Sequence, residues 1–230
     1  MKYQQGATLI VVMIILLVIT VLGTIAVKSG ILGLKIATNS QVSALLLESS
    51  DAALFNVENP NEVETQLSGR GMFAYLDLAT NADDELVFCY RAKDSEFFSL
   101  AKASAISGAS TSKMGITGYC TASDYSTGRS AVLTQVYLTR IKSNTAPLST
   151  FAFAIGTSAG QSGLPVTSNS VGATVISVLP SFSGAASDKI NGCFKRSKDA
   201  VAECFEDLNV PYNMQRADYT VGGSPTLQTS

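Results

Sequence analysis

From Gly6 to Val27 the sequence reads GATLIVVMIILLVITVLGTIAV and carries no charge. As a helix rising ~1.5 Å per residue, that run covers about 33 Å, enough to cross the ~30 Å hydrocarbon core of a bilayer. A segment apolar all round needs lipid or other apolar helices on every side. Three fates fit it: a removed export signal, a plain membrane anchor, or a retained helix that becomes a building block. An export signal has a basic start, an apolar run of ~7–15 residues and a small-x-small cleavage site. Lys2 supplies the charge and Thr24 and Ala26 the small residues, but the run is longer than that pattern and starts almost at the terminus. The length suits an anchor. Flanking charge leaves its orientation open, since Lys2 precedes the span while Lys28 and Lys35 follow it.

The cysteines settle the orientation. Cys89, Cys120, Cys193 and Cys204 all lie beyond the apolar run, and their even number suits an oxidising compartment, which places the bulk of the chain outside the cytoplasm. Four cysteines allow three connectivities. Sequential pairing, Cys89–Cys120 and Cys193–Cys204, is the simplest. In the chain-entropy description, loops of those lengths stabilise by about 3.7 and 2.8 kcal/mol. No CxxC spacing occurs, so no tetrahedral zinc site is expected. The chain has no histidine, which removes Ser-His-Asp and Cys-His nucleophilic sites and any histidine-ligated metal. No other catalytic constellation is present, so the expectation is a non-enzyme without a cofactor or metal. The formal net charge of −2 lacks the basic excess of a general nucleic-acid binder, and DNA is not an expected partner.

The apolar run does not stop at a loop. From Lys28 to Val57 there is no proline, and apolar residues recur at helical spacing, with Leu47 and Leu54 seven apart and Leu45 and Ala52 likewise. Pro60 in ENPNE disfavours helical geometry at Asn59. The pattern predicts one helix from about Ala7 to Val57, whose second half is amphipathic. Beyond it come strand signals: LVFCYR (Leu86 to Arg91), SAVLTQVYLTRI (Ser130 to Ile141) with Val132, Thr134, Val136 and Leu138 on one face, then FAFAIGT and VGATVISVLPSFS. TSAGQSGLPVTSNS reads as a long exposed loop, and SKDAVAECFEDLN as a short helix between Cys193 and Asn209. The sum is an α+β chain, an antiparallel sheet packed on the amphipathic half of the long helix. NADDE (Asn81 to Glu85) clusters carboxylates but has no glycine-bounded loop of ligands, so it reads as a solvated turn rather than a calcium site. KRSK (Lys195 to Lys198) lacks interleaved aromatics and reads as a solvated helix end. Gly23, Gly30 and Gly33 inside the helix suit close helix packing in a membrane, or a segment that softens on leaving lipid.

The short leader with a basic residue, ending in Gly6 and followed by ATLIVVMIILLVITVLGTIAV, resembles a type IV prepilin (class III) signal, and together with IATNSQVSALLLESSDAALFN it is most similar to the PilX-like minor pilins. CFKRSKDAVAECFEDLNVPYN resembles, more loosely, the disulfide-closed C-terminal region of pilins. The resemblance implies cleavage by the prepilin peptidase between Gly6 and Ala7, N-methylation of Ala7, and a pilin-like roll. It implies a leader (1–6), a transmembrane helix half (7–28), an amphipathic half (29–58) and a globular periplasmic head (59–230). Most major pilins begin with phenylalanine, so Ala7 departs from them. Pilins also carry a glutamate four residues after the new terminus, where this chain has Val11. That glutamate is thought to neutralise the terminal amine of a neighbouring subunit within an apolar core, and removing one partner of a buried ion pair costs ~3–5 kcal/mol. A subunit without it suits the tip, where no amine lies above. The resemblance therefore implies a place in the tip and priming complex, with other minor pilins, the major pilin and a large tip adhesin as partners, the inner membrane as first location and the pilus tip as the last. It implies roles in twitching motility and adhesion, with DNA uptake as a further one. The competing readings are a tip minor pseudopilin of a type II secretion system, which usually carries a much larger inserted domain, and a single-pass membrane-anchored periplasmic protein.

Overall fold

The computed structural model describes residues 5–59, 71–94, 98–108, 113–126, 131–141 and 169–221. The strand expected at FAFAIGT, nearly all of the loop expected at TSAGQSGLPVTSNS, and Pro60 lie outside them. The chain divides into two units, Met1–Ala44 and Leu45–Ser230.

One helix, α1, spans Gln5–Val57. Its C-terminal end falls where the sequence pattern stops, closed by bonds from Glu58 N–H to the Leu54 carbonyl and from Asn59 N–H to the Asn56 carbonyl. In the first unit α1 is the described element, and its side chains from Leu9 to Leu34 are exposed. Thr20 and Thr24 donate their hydroxyls to the carbonyls of Leu17 and Val21, each at 2.8 Å. Neither hydroxyl therefore asks for water, which lets both sit in an apolar medium.

The second unit is built on a five-stranded antiparallel sheet of β1 (Asp84–Tyr90), β2 (Ser104–Ser107), β3 (Leu133–Arg140), β4 (Asn169–Val178) and β5 (Tyr212–Val221), in the order β2-β1-β3-β4-β5. Helices cover both faces. On one face Leu86, Phe88, Val136, Leu138 and Val175 join Ala53 and Val57 of α1 and residues of a short helix, α2 (Met72–Asp77). On the other, Val87, Leu133, Tyr137 and Ile176 meet α3 (Ser187–Phe194) and α4 (Lys198–Asp207). Phe194 and Phe205 pack edge to face there, with ring centroids 5.0 Å apart. Burial on both faces explains why β1 reads as the near-continuous apolar run LVFCY. The α+β class, the long helix and the antiparallel sheet are as the sequence predicts. The second helical layer is broader than expected, because α3 joins the anticipated α4. Thr134, Val136 and Leu138 share a face as predicted, while Val132 is buried just before the strand begins.

The buried stripe of α1 differs from the expected one. Leu46, Ser49, Ser50, Ala53 and Val57 are buried, whereas Leu47 is 45% exposed and Leu45, Ala52 and Leu54 are half-buried. Two serines occupy core positions because their hydroxyls find partners on the sheet. Ser49 Oγ lies 2.7 Å from Thr134 Oγ1 and 2.9 Å from Ser126 Oγ. Ser50 donates to Ser177 Oγ at 2.8 Å, and Ser177 Oγ lies 2.9 Å from Thr134 Oγ1. Ser126 in turn donates to the Val132 carbonyl. A leucine-centred reading misses such a stripe, since a bonded hydroxyl is buried at little net cost.

Candidate functional site

The first unit holds the residues that the sequence singles out for processing and assembly. Gly6 and Ala7 lie in the first turns of α1, which contain no acidic residue. Val11 follows one turn later and is 54% exposed. The most apolar 18-residue window of this helix has a mean hydropathy of 3.2 and none of it is buried. Length and composition make α1 capable of crossing a membrane. From Leu9 to Val27 Leu, Ile, Val and Met side chains line the whole circumference, each about half exposed or more. A helix apolar on every side has no solvent-facing stripe, so its stable surroundings are lipid or other apolar helices. Gly23, Gly30 and Gly33 meet nothing at the position a Cβ would occupy. Their backbone is open to close approach by another helix.

In the second unit the four cysteines form the simplest of the three possible pairings. Cys89 on β1 bonds Cys120, and Cys193 on α3 bonds Cys204 on α4. The second bridge ties the two helices that cover one face of the sheet. Arg91 flanks the first, with its guanidinium 2.9 Å from Asp124.

Of the three carboxylates of NADDE, Asp83 is exposed in a turn as the sequence suggests, while the other two are not. Asp84 and Glu85 open β1, and each has a cation. Asp84, 2% exposed, accepts from Lys113 Nζ at 2.9 Å and from the Tyr75 hydroxyl at 2.8 Å, while Lys113 also donates to Asn81 Oδ1 at 2.8 Å. Burial alone would raise the Asp84 pKa, but the hydrogen bonds from Lys113, Tyr75 and Ser107 and the Lys113 charge outweigh it and hold the carboxyl below the usual range. Glu85 accepts from the backbone N–H of Lys198 at 2.9 Å and from its Nζ at 3.1 Å, so it caps the first turn of α4 and pairs its charge. This also corrects the reading of KRSK: Lys195 and Arg196 are exposed, but Lys198 is partly buried and bonded across to β1. Among the described residues, no three His, Cys, Asp or Glu side chains gather as a metal centre needs. Lys113 and Tyr75 carry no sequence signal, because their partners stand 29 and 9 residues away. Comparison with protein-family models, curated proteins and solved structures found no match.

Proposed function

We propose that this chain is a minor pilin of a type IV pilus, made as an inner-membrane protein with a periplasmic head and placed in the tip and priming complex that starts assembly. The observation that carries the reading is α1 itself. One helix runs from Gln5 to Val57, is exposed and free of charge from Leu9 to Val27, and gives Leu46, Ala53 and Val57 to the core of the head. An export signal serves as a removable address, whereas the end of this helix is a core element of the domain. The leader ending at Gly6 adds to it, with the prepilin peptidase cutting before Ala7 and the new amine N-methylated. In this reading the apolar half of α1 exchanges lipid for the helices of neighbouring subunits, and the disulfide-closed head follows the pilin-like roll.

Val11 supports a position at the tip. A carboxylate there would need the amine of a subunit above it, and without one it would cost ~3 kcal/mol near mid-membrane. Valine removes that need, while the amine at Ala7 still receives the glutamate of the subunit below. The subunit is competent to be followed and poorly built to follow. Partners are other minor pilins, the major pilin and a large tip adhesin, and the outcome is pilus initiation with its consequences for twitching motility, adhesion and DNA uptake. Immunogold labelling of sheared pili tests the position. Label at one end, with few pili of normal length in a strain lacking the protein, is the expected result. Label along the shafts, or a normal pilus count in that strain, contradicts it.

A further inference from the structure

α1 meets the sheet in two different ways along its buried stripe. Its C-terminal end is held by apolar contact: Ala53 and Val57 lie in one cluster with Leu86, Phe88, Val136 and Leu138. Two side-chain bonds reinforce that end. Asn56 Nδ2 donates to the Tyr90 hydroxyl at 3.1 Å, and the Tyr219 hydroxyl donates to Glu58 at 2.9 Å. One turn earlier the contact is made of hydroxyls instead. Ser49 and Ser50, both buried, face Ser126, Thr134 and Ser177. Leu46, the apolar side chain buried just before them, belongs to neither apolar cluster of the head. Asn213, directly opposite Ser177 in the β4–β5 pairing, buries its Oδ1 with no hydrogen-bond partner among the described residues.

We propose that this hydroxyl seam is a joint: the turns of α1 around Leu46–Ser50 part from the sheet and admit water, while Ala53–Val57 stays anchored and the head stays folded. The two ends lose different things on opening. A bond between two hydroxyls is exchanged for bonds to water with a small net change. Apolar contacts given up at Ala53 and Val57 have no such replacement, because water gains nothing from the surface it then covers. Water in the open seam also reaches Asn213 Oδ1 and supplies a bond that the closed seam does not. Opening therefore starts at the hydroxyls and stops at the apolar end, as a local event that exposes far less surface than unfolding. The turns by which α1 enters the head can move without loss of its core. The joint depends on contacts within the head alone and not on the pilus reading.

The test is thiol labelling of the full chain in the membranes of cells expressing it, with N-ethylmaleimide and peptide mass spectrometry. All four native cysteines are paired, so an introduced thiol is the one that reacts. Ser50→Cys is compared with Ala53→Cys and Val57→Cys, three positions that a rigid head hides alike, at 0%, 0% and 5% exposure. Without denaturant, Ser50→Cys is expected to react at least about tenfold faster than either anchor position. The dependence on urea separates the joint from a fold merely weakened by substitution. Below the unfolding midpoint the Ser50→Cys rate should change little with urea, because local opening exposes little surface. The two anchor rates should climb steeply and meet it only as the head unfolds. Equal rates at the three positions, a faster rate at an anchor, or a Ser50→Cys rate that climbs with urea as steeply as theirs would each overturn the proposal.

Discussion

The amine of Lys113 lies 2.9 Å from Oδ2 of Asp84, a carboxylate only 2% exposed at the start of β1. This pair ties the segment after β2 to β1 and gives the head a titratable support. The folded state holds the Asp84 pKa below its ordinary value of ~3.9, so its contribution is complete above that value and is lost as pH falls through the folded pKa. Asp84→Asn is expected to cost about 1–2 kcal/mol at pH 6, a moderate figure because the Lys113 side chain is 41% exposed. The gap between the two proteins should close below about pH 4. Asp124 titrates in the same direction: burial raises its pKa, but Thr121 and Arg91 outweigh it, so some acid sensitivity remains in the variant. Denaturant unfolding at pH 3 and 6 measures both, and a gap that widens in acid would contradict the assignment.

The hydroxyl chain between α1 and the sheet predicts coupling. Ser49→Ala leaves Thr134 bonded to Ser177 and Ser126 bonded to the Val132 carbonyl, so the loss should be about 1–2 kcal/mol rather than collapse. A double-mutant cycle with Thr134→Val should return a coupling of ~0.5–1.5 kcal/mol. Additive losses would mean that the two hydroxyls do not bond in solution.

Gly118 predicts a steric effect. A Cβ at this position would run into the backbone of Ser104 and of Val87, neither of which can swing aside as a flexible side chain can. Gly118→Ala should therefore cost roughly 2–4 kcal/mol, whereas Gly192→Ala, with open space at its Cβ, should change stability by less than about 1 kcal/mol. Thermal unfolding of the two variants side by side is the check, and equal melting temperatures would contradict the packing.

What could be read from sequence followed from how local each signal is. α1 was legible because apolar character and the absence of proline act along one continuous segment, and β1, β3, β4 and α4 because their apolar patterns are strong. The disulfide pairing was legible because the simplest connectivity is the one formed. β5 was missed because an edge strand with one wet face reads as polar sequence, and β2 because four residues carry too little pattern. The face that α1 buries does not follow Leu47 and Leu54, since Ser49 and Ser50 enter the core only through partners on strands far along the chain. Asp84 and Glu85 looked solvated for the same reason: Lys113 and Lys198 reach them only in the folded head.

The measurement that bears most directly on the pilin reading is intact and peptide mass spectrometry of the mature N-terminus, on protein taken from membranes that contain a prepilin peptidase. The expected result is a chain beginning at Ala7 with one added methyl group on its amine, and no cleavage in a Gly6→Val variant, because the peptidase has no room for a side chain there. A mature chain that begins at Met1, or one cut near Val27, would contradict it.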